Sequence, residues 1–397
     1  MLDLVVFILL FFALAIGWFL GHKSKADSKD DSVSISPIYF KGLSYLFYDE
    51  PDESIDSFIH SLDVNPDTLE THLALGNLLR RKGEVDRAIK VHQNLLARPV
   101  LSAEQQACAH MELALDYMAA GLLDRAERLL LDLVKENHSL KDKALKQLLD
   151  VYVEEREWES AIDTAKKIQP KRLLRSRQVK ESDLTASMAH FSCELAVEAK
   201  KNSDFQAARR HIKRAYAYDK HSQRAGLMTA QLDYQAGEYA KAITTLKSIP
   251  LQNAAMVSGG LKLLIDSYKA LDDNQGLIDY LTISIRTSSS MAAVLVLAKE
   301  MEQFYSREAA MKLLAEELKQ RPSLKGLNQL ITYSMEETSG KAKENLLILQ
   351  QMIRTLIERK PTYKCQQCGF PSKIIFWQCP SCKNWGSMEL VVGVEGD

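Results

Sequence analysis

Gly76-Asn77-Leu78-Leu79-Arg80-Arg81-Lys82-Gly83-Glu84-Val85-Asp86-Arg87-Ala88 is the stretch that decides the fold of this chain. Two small residues, Gly76 and Ala88, stand twelve positions apart on either side of the turn signal Lys82-Gly83-Glu84. A bulkier apolar residue, Val85, precedes the second small one by three. On a helix, i and i+3 share a face, so Val85 and Ala88 present one knob and one hole to the helix before the turn. The reading is a hairpin of two helices packed at small residues.

The pattern recurs. Ala114 with Ala126 and Ala196 with Ala208 repeat the twelve-residue spacing. The second small position runs Ala88, Ala126, Ala161, Ala208, Ala242, in steps of 38, 35, 47 and 34 residues, each preceded by a knob: Val85, Leu123, Trp158, Phe205 and Tyr239. Turn signals fall at Ala120-Gly121-Leu122 and Ala236-Gly237-Glu238. Gly42 and Gly76, and likewise Phe58 and His92, are 34 apart, and Pro66 closes the first unit. A fixed period near that length, in a segment rich in Leu, Ala, Lys, Glu and Gln without strand-like alternation, marks a repeat architecture. It resembles the tetratricopeptide family over most of residues 37 to 250, with Tyr117 and Tyr152 at the aromatic position of the first helix. Leu261 to Leu281 and Val294 to Leu314 read as further hairpins whose small positions have drifted. A helix around Asn345 to Arg359 either caps the array or leads out of it. The expected fold is all-α: a tetratricopeptide-repeat superhelical solenoid over residues 37–360, about eight to nine hairpins long. Such stacks typically bind peptides or protein segments in a concave groove.

Both ends of the chain differ from this middle. Leu4 through Gly21 is unbroken apolar sequence, and eighteen residues at 1.5 Å each reach roughly 27 Å, enough for a bilayer's hydrocarbon core. The preceding flank carries only Asp3, and the run ends in Trp18-Phe19-Leu20, so it lacks the basic start and small-residue cleavage site of a signal peptide. Residues 1–21 are therefore expected to be an uncleaved transmembrane anchor, and 22–36 a polar tether. Lys23, Lys25 and Lys29 follow the span with no basic residue before it, which puts the bulk of the chain in the cytoplasm and the N-terminus across the membrane from it. A basic insertion, residues 170–180, suits either a solvated helix extension or a patch for an acidic partner or anionic headgroups.

At the other end, Cys365-Gln366-Gln367-Cys368-Gly369 and Cys379-Pro380-Ser381-Cys382 form two Cys-x-x-Cys pairs with ten residues between them. Such pairs place four thiolates around one ion, and an all-cysteine set leaves no open position for water or substrate, which argues for a structural site. Cys365, Cys368, Cys379 and Cys382 are the expected metal ligands of a domain at 361–397, and a sulfur tetrahedron takes Zn or Fe. Gly369 stands where a turn needs positive φ. Tyr363 and Trp377 each lie two residues before a pair, and Phe370 and Trp385 follow at similar distances, as aromatic walls over the ion or a docking surface. Cys108 and Cys193 fall in helical patterns and read as small core hydrophobes.

Other function classes leave no trace. The 51 basic and 52 acidic residues balance, and only Lys364, Lys373 and Lys383 lie around the knuckles, so phosphate contacts to a nucleic acid lack their cations. The nine histidines are scattered, and there is no His-Glu-x-x-His, phosphate loop or Gly-x-Ser-x-Gly, which points away from an enzyme.

Anchor, array and knot in this order closely resemble the lipopolysaccharide assembly protein B family. The match is carried by Tyr39-Phe40-Lys41-Gly42-Leu43, Asn65-Pro66 and Tyr363 through Gly386. One departure is Lys383-Asn384, where rubredoxin-like domains place glycine after the second pair. The resemblance implies a bacterial inner-membrane adaptor with a rubredoxin-like metal domain. It would promote degradation of the lipid A pathway deacetylase LpxC by the membrane protease FtsH, and organise other lipopolysaccharide-assembly proteins. The alternatives are a rubredoxin-like electron carrier and a nucleic-acid-binding zinc ribbon. Self-association is left open by the sequence.

Overall fold

The computed structural model describes residues 69–97, 101–136, 139–168, 181–287 and 290–394. The expected anchor (1–21), the tether (22–36), the first repeat with Gly42, Phe58 and Pro66, and the insertion at 170–180 all lie outside them. Among the described residues, no helix is long and apolar enough to cross a membrane. The chain divides into two compact units, residues 1–122 and 123–397.

In the first unit, α1 (Leu69–Lys82), α2 (Val85–Leu96) and α3 (Ala103–Ala119) follow one another. Gly83 turns the first pair at φ 87°, a left-handed conformation that costs glycine nothing. Gly76 is small because the ring of His92 lies against it: an added Cβ would sit 2.4 Å from that ring. A polar cluster ties the three helices. Arg80 of α1 donates to Asp116 at 2.6 Å and to Glu112 at 2.8 Å, both on α3. His92 Nδ1 of α2 meets the second Asp116 oxygen at 2.5 Å. The start of α3 is closed by a capping box between Ser102 and Gln105, which satisfies two otherwise orphaned backbone donors.

The second unit holds α4 (Leu123–Lys135), α5 (Lys141–Glu155), α6 (Trp158–Ile168), α7 (Glu181–Lys201), α8 (Phe205–Tyr218), α9 (Gln223–Gln235) and α10 (Tyr239–Lys247). A π-helical turn at Met256–Gly260 leads into α11 (Leu261–Ala270), followed by α12 (Asn274–Ser284), α13 (Met291–Phe304), α14 (Arg307–Gln320), α15 (Leu324–Glu337) and α16 (Lys341–Arg359). Serine and aspartate caps open many of them: Asp204, Ser222, Asp273, Ser290, Ser306 and Ser323 each accept from a backbone N–H three residues on.

The repeat positions land where the spacing puts them. Val85, Leu123, Trp158, Phe205 and Tyr239 are each the first residue of a helix, and Ala88, Ala126, Ala161, Ala208 and Ala242 are all buried. The knob reading needs correction, because Phe205 is 48% exposed and only Trp158 is fully covered. Helical side chains lean toward the helix N-terminus, so a first residue projects off the end of its own hairpin and is buried only where another element reaches it. The drift expected in the later units also needs correction. Leu277 takes the small position of α12, but Ala298 and Ala310 restore the twelve-residue pair, all three wholly buried. Tyr117 and Tyr152 are buried as the aromatic position requires.

Beyond α16, which packs on α15 through Ile353 and a Gln350–Thr332 hydrogen bond of 2.9 Å, the chain enters a small antiparallel sheet. Its strands are β1 (Tyr363–Cys365), β2 (Pro371–Ser372) and β3 (Met388–Leu390), in the order β2-β1-β3. Tyr363, Cys365, Cys379, Met388 and Leu390 form its core, joined by Ala254 from the segment before α11.

Candidate metal centre

The two Cys-x-x-Cys segments fold as matching knuckles. Gly369 N–H donates to the Cys365 carbonyl, and Lys383 N–H donates to that of Cys379, each at 2.9 Å. The Cys365 and Cys379 amides in turn donate to the carbonyls of Phe370 and Asn384, each five residues on. The residue after each pair is left-handed: Gly369 at φ 78° and Lys383 at φ 59°. The departure at Lys383 therefore changes the side chain and leaves the turn as it is.

The four sulfurs lie within 4.8 Å of one another. Cys365 and Cys382 are 3.6 Å apart and Cys368 and Cys379 3.7 Å. Disulfide sulfurs would be about 2.05 Å apart, whereas a tetrahedron with metal–sulfur bonds of about 2.3 Å has edges of about 3.8 Å. The donor set fits one four-coordinate ion. Burial pushes the Cys365 thiol up, but hydrogen bonding to Ser387 and to the backbone of Cys368 and Gln367 outweighs it and brings the thiol down to about 6, toward the thiolate a metal takes.

The aromatic flanks divide their work. Tyr363 is buried in the ribbon core, and Phe370 packs on Phe376 at 6.5 Å. Trp377 and Trp385 instead face the helices. Trp385 stacks on His190 of α7 at 5.4 Å and meets Phe191 edge-on at 5.6 Å and Trp158 at 6.0 Å. Trp158, which leads α6, is thus covered by the ribbon and by Phe191, which stacks on it at 5.9 Å. The Arg224 guanidinium of α9 lies over Trp377 at 5.3 Å and donates to Glu194 at 2.8 Å. Gly386 fits against His190, where a Cβ would come within 2.9 Å of the ring. Burial, with the Arg224 charge beside it, drives His190 down to about 3, so the imidazole is neutral at this junction.

Of the residues singled out in sequence, the four cysteines come together, while the four aromatics divide between the ribbon core and the helix junction. Cys193 is buried in α7, its thiol pushed up to about 12 by burial, whereas Cys108 is only half-buried. The sequence reading missed His190, Phe191 and Arg224, which receive the ribbon. No local signal marks them, since their role exists only through contacts more than 150 residues away along the chain.

Fold and site together define a tetratricopeptide-like helical array carrying a docked metal ribbon, with four cysteines placed for one ion. The rubredoxin metal binding domain family matches residues 363–389, and tetratricopeptide repeat families match 71–104 and 199–256. Lipopolysaccharide assembly protein B of Escherichia coli K12 is 35% identical over 398 residues, covering 100% of both chains. Its counterpart from Haemophilus influenzae is 30% identical over 401 residues, covering 98% of this chain and 99% of its own. The chain belongs to the lipopolysaccharide assembly protein B family.

Proposed function

We propose that this chain is a non-catalytic adaptor of lipopolysaccharide synthesis, held at the bacterial inner membrane by residues 1–21 with its bulk in the cytoplasm. The domain plan is the anchor, a tether at 22–36, the array at 37–360 and a metal domain at 361–397 that binds one Zn or Fe ion through Cys365, Cys368, Cys379 and Cys382. The array holds the deacetylase LpxC and presents it to the membrane protease FtsH, and other lipopolysaccharide-assembly proteins dock on the same scaffold. Confinement to the membrane plane raises the effective concentration of a held client near the protease.

The observation that carries this reading is the seating of the metal ribbon on the repeat helices through Trp377 and Trp385. That arrangement uses the metal to brace a binding scaffold, and all four donors belong to the protein. Two variants at native abundance test it. With Cys365→Ser and Cys368→Ser combined, the deacetylase level should rise, and a normal level would make the knot dispensable. With residues 1–21 removed it should also rise, and full restraint would remove the anchoring argument.

A further inference from the structure

Among the described residues, the β2-β1-β3 order leaves one side of β3 without a neighbouring strand. The Gln366 amide donates to the Ser387 carbonyl at 2.8 Å, and the Val391 amide to the Thr362 carbonyl at 3.0 Å. Bonded pairs alternate in an antiparallel ladder, so Ser387, Glu389 and Val391 turn their backbone groups toward β1. Met388 and Leu390 therefore point their N–H and C=O groups to the open side, and among the described residues those groups have no backbone partner. Both side chains go into the ribbon core.

That edge faces a cleft of about 1060 Å³ between ribbon and helices, just above the roughly 300–1,000 Å³ range of ligand sites. Every residue from 384 to 390 lines it. Strand side chains alternate between faces, so an unbroken run of lining residues places the strand's edge on the cleft. The helix side of the lining is the 252–255 segment, whose Ala254 packs into the ribbon core, with Ser187 and His190 of α7, where His190 meets Trp385 and Gly386. Arg224 also lines the cleft: it is 5% exposed, and among the described residues its Nη1 has no hydrogen-bond partner although Nη2 is held by Glu194. A buried guanidinium with an unpaired N–H side is costly unless an acceptor completes it. The acidic side chains of the lining, Asp219 and Glu389, do not: among the described residues neither makes a salt bridge or hydrogen bond with Arg224, and Glu389 accepts from Gln366.

We propose that the free edge of β3 takes up an extended protein segment as an added strand, and that Arg224 receives a carboxylate of that segment. This rests on the reading of the chain as a holder of protein clients. It moves the contact from the concave groove of the repeats to the seam where the ribbon meets them. Main-chain bonds to Met388 and Leu390 give affinity, and the carboxylate sets the register.

The test uses the full chain in detergent micelles with its metal bound, and a displayed library of random twelve-residue peptides. Enriched peptides should slow hydrogen exchange at the Met388 and Leu390 amides at least tenfold. N-methylation at alternate peptide residues should abolish binding, and at the intervening ones should not. Replacing the peptide's acidic side chain by its amide, or amidating its C-terminus, should cost tenfold for whichever carboxylate is used. An absence of enrichment overturns the proposal, as does binding that leaves both amides unprotected. So does protection already present without peptide and lost when residues 395–397 are removed, which would assign the edge to the chain's own terminus. Retention of LpxC by the same micelles is scored separately: if LpxC is not retained while peptides still pair with β3, the client assignment fails and the strand site stands.

Discussion

Replacing Trp385 with alanine isolates the contact that joins metal domain to array. Its ring meets three others, His190 at 5.4 Å, Phe191 at 5.6 Å and Trp158 at 6.0 Å. Aromatic pairs contribute about 0.5–1.5 kcal/mol each beyond their area, and a fully buried tryptophan truncated to alanine costs about 3–5 kcal/mol. Trp385 is half-buried, so about 3 kcal/mol is the expected loss of docking free energy, roughly a hundredfold in the docked-to-undocked ratio. The knuckles do not use this side chain, and metal binding should persist. The assay is the rate of proteolytic release of the C-terminal segment, with metal in excess and opening fast relative to cleavage, so that the rate follows the open population. It should rise roughly a hundredfold, and the His190 titration should move up from about 3 toward its ordinary range as the indole leaves the ring. A release rate within twofold of the parent, with His190 unmoved, would show that the three ring contacts do not hold the ribbon.

Docking should also depend on pH. His190 has a docked value near 3 against an ordinary 6.5, so the undocked state binds the extra proton between those values; the stabilisation is complete above 6.5 and is lost as pH falls toward 3. At pH 5.5 the release rate should be about tenfold above that at pH 7.5, and His190→Gln should flatten the dependence. Lys383→Gly should relieve a left-handed lysine (φ 59°); a strain of about 1–2 kcal/mol less a glycine entropy cost of about 0.5–1 kcal/mol leaves metal affinity tighter by up to about tenfold in chelator competition. Ala310→Leu, at a wholly buried contact of α14, should cost about 1–3 kcal/mol by overpacking, read as a lower thermal midpoint.

The array was legible because its signal is local. Ala208 and Ala242 sit at a fixed offset from the turn before them, and burial of each follows from that offset alone. The turns were legible only where glycine marks them. Arg156, Ser203 and Asp272 adopt the same left-handed conformation as Gly83, Gly121 and Gly237, held there by the hairpins on either side against their own preference. Leu277 hid a repeat position in the same way. The knot was legible because metal chemistry fixes ligand type and spacing, and its tryptophans stood out by symmetry. Their seats did not, since His190 and Arg224 look like any half-polar helix residues until the chain brings position 385 back to position 190.

That long-range seat makes a last prediction about how far the metal's influence reaches. A ribbon of this size has too small a core to fold alone, so its folding free energy would come from an ion held by the four cysteines. Chelation should therefore unfold residues 361–394 and withdraw Trp377 and Trp385 together. Phe191 and Trp158 would lose one of the two aromatic partners that cover them, and Arg224 would lose the ring beneath it. Hydrogen exchange should quicken in α6, in α7 around residues 188–194 and at the start of α9, on the order of tenfold or more. The α4–α5 pair makes none of these ring contacts and keeps its own buried leucines, Leu130, Leu133, Leu145 and Leu148, so it should exchange as before. Uniform quickening would mean that the ion stabilises the unit as a whole, and no quickening in α7 would mean that the ribbon rests on the helices without bracing them. Only the graded response fits an ion that acts through two indole rings.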